Sequence, residues 1–164
     1  MEGQLKRLLA TAPVLLVGGI GMAQSGAMVE GTLSPVGPPI GAPVRVEAGP
    51  ACIVDLRQRY ALDGGLSGAM EVNFRILVRG PCGSPAGTFD EEWIAHGTFH
   101  GTLKGDSASG TFVYTADVRD GGRVRGRLAF GGGLGGELTI RGRFSDGSLA
   151  YSGEVEVEGR VGGR

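Results

Sequence analysis

The sequence lacks an excess of charge of either sign. Its 16 Lys and Arg residues stand against 17 Asp and Glu residues, which gives a formal net charge of −1 at pH 7. A protein without a strongly basic surface has no bulk electrostatic attraction to nucleic acid or to anionic membranes. The composition therefore predicts no nucleic-acid partner.

The arginines are nevertheless concentrated in the C-terminal half of the chain. One predicted strand face carries Arg119, Arg123, Arg125, Arg127, Arg141 and Arg143 together with Glu137, Glu154, Glu156 and Glu158. A basic patch for an anionic partner is one interpretation of this face. Because acidic residues share it, a mixed-charge surface that keeps the protein soluble is the favoured one.

Groups that support catalysis or metal binding are also scarce. The chain has two His residues and no G-x-S-x-G motif, which would hold a serine nucleophile. His96 and His100 are four residues apart, a spacing that brings two side chains together on a helix but separates them by about 13 Å on a strand. Since they lie in an alternating segment, we expect them to face solvent, and no metal site is predicted.

One glycine-rich segment matches the pattern of a dinucleotide-binding loop. The match involves Gly131, Gly133 and Gly136 in the stretch GGGLGG. Such a loop binds phosphate only between a strand and the N-terminus of a helix. The following residues, ELTIRGRF, alternate like a strand, so the segment is predicted to be a hairpin loop and no cofactor is predicted.

No stretch beyond residue 27 shows the 3.6-residue period of an amphipathic helix. Apolar and polar residues instead alternate in segments separated by Gly-rich turns, and glycine accounts for 33 of 164 residues. This pattern is typical of many short antiparallel strands. Seven strands are predicted at 52–62, 66–78, 93–103, 112–118, 124–130, 138–144 and 149–157, with an eighth at 44–47.

Short connections favour antiparallel neighbours, and closure of the sheet removes its exposed edges. The predicted fold is an all-β, eight-stranded antiparallel up-and-down barrel spanning residues 44–160, followed by a tail at 161–164. No ionisable acid, His, Lys or Arg is expected in its interior, so no catalytic residue is predicted. The candidate residues for a ligand cavity are the inward polar or amphipathic ones: Gln58, Tyr60, Trp93, Tyr114 and Tyr151.

Several glycines fall on the inward face of the predicted strands. They are Gly68, Gly97, Gly101, Gly126, Gly142 and Gly153. Inward glycines either let strands coil sharply or leave space for a ligand. Coiling of the strands is the favoured interpretation.

The N-terminus has the features of a secretory signal peptide. Lys6 and Arg7 precede an apolar run at 8–23, which is shorter than the roughly 20 residues of a membrane-spanning helix. We expect a signal peptide at 1–27, a Pro/Gly-rich arm at 28–43, and a secreted or periplasmic protein without stable membrane insertion after processing. Translation that begins at Met28 is the alternative and would leave the protein in the cytoplasm.

The compartment determines the state of the two cysteines. In an exported protein, Cys52 and Cys82 are expected to form a disulfide. In the cytoplasm they would be two free thiols. The choice between these states depends on the signal peptide.

The glycine and turn motifs resemble those of bacterial DUF3224-type domains. These motifs are G-T-L-x-G at 101–105, G-[ST]-F at 110–112, G-x-G-G-E-L-x-x-x-G at 133–142 and a last strand that carries Tyr151. The likeness covers roughly residues 50–158 and implies a barrel of the allene oxide cyclase and dirigent superfamily, within the lipocalin-like group. The chain differs from that pattern in its predicted export signal, in its cysteine pair, and in having Tyr114 and Thr115 where a histidine is expected.

Two functions remain open on this basis. The first is an exported, non-catalytic barrel that binds a small apolar molecule or a protein partner, with association into a homo-oligomer as a further option. The second is a cyclase or isomerase of the allene oxide cyclase type, which would act by shaping a substrate in an apolar cavity with Tyr or Gln donors. The resemblance supplies no catalytic residue for the second function.

Overall fold

The structure is a computed structural model that describes residues 26–119 and 121–158. The predicted signal peptide, apart from its last two residues, and the predicted tail at 161–164 lie outside these ranges. The described ranges form nine strands and a three-residue 3-10 helix, Phe144–Asp146. The strands are β1 (Ala27–Pro35), β2 (Val44–Ala48), β3 (Ala51–Gly64), β4 (Leu66–Val78), β5 (Glu91–Leu103), β6 (Asp106–Arg119), β7 (Arg123–Gly131), β8 (Leu134–Arg143) and β9 (Leu149–Val157).

Eight of these strands close into a barrel. Each strand from β3 to β9 pairs antiparallel with the next, and β1 pairs with both β9 and β3. The closing register places Leu33 opposite Leu149 on one side and Gly31 opposite Gly64 on the other. The predicted fold class is therefore confirmed. Within the described ranges, no helix is long and apolar enough to span a membrane.

The strand that closes the barrel differs from the predicted one. The segment predicted as the eighth strand forms β2, which pairs with β3 and takes no part in closure. Closure is made by β1, which apart from Ala27 lies in the segment predicted as an arm. Val29 and Leu33 of β1 are buried, and between them Gly31 leaves no space for a side chain, since a Cβ there would lie 2.0 Å from the carbonyl oxygen of Asp63. With so few inward side chains, β1 lacks a visible alternating pattern.

The alternation of apolar residues places one face of every barrel strand in a common core. Its most completely buried large side chains include Phe99, Leu66, Leu128, Leu134, Leu138 and Ile140. Burial of each contributes about 1.5–3 kcal/mol. This core is continuous across all eight strands, so a ligand cavity within the barrel would lie among these side chains.

The inward glycines let neighbouring atoms approach closely. At each of the six positions named above, an added Cβ would lie between 2.0 and 2.8 Å from another atom. At Gly97, that atom is the carbonyl oxygen of Glu71, and the ring of Phe112 lies at 2.7 Å. These glycines therefore leave no space for a ligand, which is the alternative that the sequence had left open.

Candidate functional site

The interior of the barrel is filled by side chains. A void of about 10 Å³ remains, lined by residues that include Tyr60, Trp93 and Tyr114. A single water molecule needs roughly 10–15 Å³ of such volume. Three of the five candidate cavity residues are therefore brought together, but around a space with room for about one water.

Aromatic rings account for much of this filling. The ring of Phe74 lies 5.5 Å from that of Trp93 and 6.3 Å from that of Tyr114, both nearly edge-on. Tyr60 lies 6.1 Å from Phe74. Edge-to-face contacts at such distances stabilise a core beyond simple burial. We call Tyr60, Phe74, Trp93 and Tyr114 the aromatic cluster.

The two tyrosines of the aromatic cluster are neutral phenols at neutral pH. Burial raises the pKa of Tyr60 to about 12. Burial also raises the pKa of Tyr114, and the neighbouring Tyr60 raises it further. The hydroxyl group of Tyr114 is buried and has no hydrogen-bond partner within the described residues. These groups have the chemistry of hydrogen-bond donors and not of bases.

Gln58 has a structural role away from the void. Its side-chain amide is buried and lies 3.0 Å from the carbonyl oxygen of Arg59 and 3.1 Å from that of Gly37. The second of these bonds ties β3 to the chain that follows β1. The structure thus places Gln58 at the seam where the arm leaves the barrel.

Tyr151 has a comparable role at the C-terminal end of β3. Its hydroxyl group accepts a hydrogen bond from the backbone N–H of Leu66 at 2.9 Å and donates to the Leu66 carbonyl at 2.8 Å. Leu66 follows the tight turn between β3 and β4. Tyr151 therefore fixes this turn against β9, and it is not among the residues that line the void.

The predicted absence of ionisable groups from the interior is wrong at Glu91. This residue is 3% exposed, and its carboxylate accepts hydrogen bonds from the Trp93 indole at 2.7 Å and from the backbone N–H of Gly87 at 2.9 Å. The sequence context, between Asp90 and Glu92, favoured a solvated loop. The signal that would have revealed Glu91 is its position two residues before Trp93, on the same side of β5.

A loop at residues 79–90, which we call the end loop, packs against one end of the barrel. Gly87 packs against Phe144 and Gly122, and the ring of Phe144 lies 5.3 Å from that of Trp93. Cys82 forms a disulfide with Cys52 of β3, with a Cα–Cα distance of 5.0 Å. The bond to Glu91 and the disulfide together hold this loop over the aromatic cluster.

Among the shallow grooves on the outer face of the barrel, two are lined mainly by apolar surface. The first outer groove has a volume of about 580 Å³ and is lined in part by Ile40, Val44 and Ile94. The second, of about 620 Å³, is lined in part by Val113 and Ala129. Asn73 and His96 line both grooves, so the two are adjacent. Ile94 and Val113 are 64% and 55% exposed, respectively.

Charged residues of both signs surround these grooves. Arg75 forms a bidentate ion pair with Asp55 at 2.8 and 2.9 Å, and this hydrogen bonding holds the pKa of the Asp55 carboxyl below its ordinary value. In the C-terminal half, Arg127 pairs with Glu137 at 2.7 Å. The outer face thus carries mixed charge around its apolar residues.

The histidines and other metal-ligating residues are dispersed. His96 and His100 lie on the outer face of β5 and are exposed. Within residues 26–119 and 121–158, no three His, Cys, Asp or Glu side chains form a group that could hold a metal ion.

A closed eight-stranded antiparallel barrel with a filled interior defines the structural class. Among solved structures, the chain is similar to a protein of unknown function from the DUF3224 family of Shewanella oneidensis MR-1. The TM-score is 0.60 and the sequence identity 17%, with 82% of this chain and 98% of that chain covered. The predicted likeness to a DUF3224 barrel is thus confirmed at the level of the fold. No family model matches the chain, and no curated protein matches it significantly.

Proposed function

We propose that the chain is an exported, non-catalytic barrel that binds an apolar segment of a protein partner on its outer face. The observation that carries the proposal is the contrast between the interior, where a void of about 10 Å³ remains, and the outer face, where Ile94 and Val113 are 64% and 55% exposed beside two shallow grooves. Exposed apolar side chains with a polar rim are typical of interaction surfaces. Ile94 and Val113 would contact the partner, and His96 between the grooves would orient it.

Export is supported by the disulfide between Cys52 and Cys82, because structural disulfides persist in oxidising compartments. The predicted signal peptide ends at Ala27, before Val29, the first buried residue of β1. Cleavage there would leave Val29 in the mature chain.

A small apolar ligand or a cyclase substrate inside the barrel is less well supported. Tyr60 and Tyr114 have the neutral hydroxyl groups that such a site would use, and Tyr114 lacks a partner within the described chain. A drug-sized ligand, however, needs roughly 300 Å³ or more. Entry would require the end loop and the aromatic cluster to move apart. The closed eight-stranded antiparallel architecture supports a relationship to allene oxide cyclase and dirigent barrels, which we likewise propose.

The proposal is tested by binding and crosslinking at the outer grooves. The neutral apolar dye Nile red should bind the purified protein, and Ile94→Thr together with Val113→Thr should abolish the fluorescence increase. A photo-crosslinking amino acid at position 94 should capture a defined protein in the exporting host. The same amino acid at the exposed Ser152, on the outer face of β9, is the matched control and should capture none.

Two results would contradict this function. One is a protein that neither binds the dye nor forms an adduct from position 94. The other is dye binding that survives both Thr substitutions but is lost in Tyr114→Trp, where a larger ring fills the remaining void. That second result would place the ligand inside the barrel.

A further inference from the structure

Strand β2 leaves one of its edges without a neighbour. It pairs along one side with β3, and no strand in the described part of the chain pairs with its other side. All five of its residues are exposed, including Val44 at 59% and Val46 at 53%. An edge strand presents backbone N–H and C=O groups that a second strand can bind.

The sequence of β2, Val-Arg-Val-Glu-Ala, is complementary to itself in the antiparallel direction. When Val46 of two copies lie opposite each other, Arg45 of each copy lies opposite Glu47 of the other. Directly opposite residues of opposite charge stabilise a strand pair, and like charges destabilise it. Neither Arg45 nor Glu47 forms an ion pair within the described residues, so both charges remain available.

The two faces of β2 support the same register. Val44 and Val46 pair with Asp55 and Ile53 of β3 and therefore share the outer side of the sheet with them. Pairing of two copies would place Val44, Val46 and Ala48 of each copy in one apolar row on that side. The two Arg–Glu pairs would lie on the other side.

We propose that two copies of this chain associate through antiparallel pairing of their β2 strands about a two-fold axis at Val46. The contact is isologous, since the same patch of each subunit faces its own copy. Natural edge strands are protected against pairing by charged side chains, especially Lys, by Pro or by bulges. β2 instead has one charge of each sign, placed symmetrically about Val46, which favours a second copy over an unrelated strand. The proposal does not depend on partner binding at the outer grooves.

The test is a charge exchange, measured by sedimentation equilibrium of the purified protein over a concentration series. The wild type should form a dimer. Arg45→Glu or Glu47→Arg places like charges opposite each other twice per dimer and should raise the dissociation constant by about tenfold or more. The double variant, with both substitutions, restores opposite charges and should dimerise like the wild type. Lys104→Glu matches the charge change of Arg45→Glu at an exposed turn at the other end of β3 and should leave the dimer unchanged.

A crosslink reports on the register independently. Opposite residues of antiparallel strands have Cα atoms about 4.5–5.5 Å apart, within the range that a disulfide spans. Val46→Cys should therefore form an intermolecular disulfide on mild oxidation. Ile94→Cys, at a position that is more exposed (64% against 53%), should not. The proposal would be overturned by a monomeric wild type, by a dissociation constant that neither single variant changes, or by a double variant that stays monomeric. Dimerisation through the apolar run near the N-terminus would give the second of these results.

Discussion

At the scale of single residues, two tyrosines of the barrel have opposite hydrogen-bonding situations. The hydroxyl group of Tyr151 bonds to both the N–H and the carbonyl of Leu66. The hydroxyl group of Tyr114 is buried and has no partner within residues 26–119 and 121–158. A buried polar group that loses its partner costs about 1–3 kcal/mol, and one that never had a partner already carries that cost.

The two tyrosines should therefore respond in opposite directions to the same substitution. Tyr151→Phe leaves the buried N–H of Leu66 without an acceptor and should lower the free energy of unfolding by about 1–3 kcal/mol. Tyr114→Phe removes an unpaired hydroxyl group and should leave that free energy unchanged or raise it by about 1 kcal/mol. Urea unfolding followed by the fluorescence of Trp93 measures both. A clear loss of stability in Tyr114→Phe would mean that its hydroxyl group has a partner such as a buried water.

The candidate site was partly predictable at this scale. Alternation along the strands identified Tyr60, Trp93 and Tyr114 as inward residues, and they do line one void. Alternation alone did not show that Phe74 and its neighbours fill the space between them. Glu91 was missed because acidic residues flank it on both sides. It nevertheless lies two residues before Trp93 and therefore on the same side of β5.

At the scale of elements, the end loop depends on its crosslink to β3. The loop has no strand of its own and is held by the Cys52–Cys82 disulfide and by the hydrogen bond from Gly87 to Glu91. The two cysteines are 30 residues apart. A crosslink that closes a loop of this length restricts the unfolded chain substantially.

Removal of the disulfide should destabilise the barrel without changing its strands. The double variant Cys52→Ala with Cys82→Ala should lose about 3–4 kcal/mol of unfolding free energy, because the unfolded chain regains the entropy of the open loop. Chemical denaturation of the variant and of the reduced wild type should give the same midpoint. If the unfolding free energies of the variant and of the reduced wild type both lie within about 1 kcal/mol of that of the oxidised wild type, the end loop is held by its other contacts.

Strands β1 and β2 show where element prediction from sequence succeeds and fails. β2 has a clear alternating pattern and was predicted, but it pairs with β3 without taking part in barrel closure. β1 has two buried side chains, Val29 and Leu33, around a glycine that is required by the close approach of Asp63. Its strand conformation is therefore fixed by pairing with β9 and β3 and not by its own pattern.

At the scale of the whole molecule, stability should fall in alkaline solution. The pKa of Tyr60 is raised from 10.0 to about 12 by burial, so the folded protein retains this proton after the unfolded chain has lost it. The stability from the neutral phenol is complete below pH 10 and is lost as the pH rises from 10 to 12. The expected slope is about 1.4 kcal/mol per pH unit for each such tyrosine. Tyr114, whose pKa is also raised, acts in the same direction.

Unfolding free energies measured in steps across this window test the prediction. Tyr60→Phe should flatten the decline, because phenylalanine has no proton to lose. Equal slopes in the wild type and in Tyr60→Phe would assign the alkaline loss of stability to other groups. Phenolate absorbance of the folded protein gives the titration of the tyrosines directly.

The sequence by itself determined that this chain is an antiparallel barrel with an apolar interior, because alternation and turn chemistry act between neighbouring residues. Only the tertiary structure decided which strand closes the barrel, that aromatic side chains fill it, and that Glu91 is buried. These features depend on distances between residues far apart in the chain. The same holds for the outer grooves and for the open edge of β2, since exposure is a property of the assembled surface.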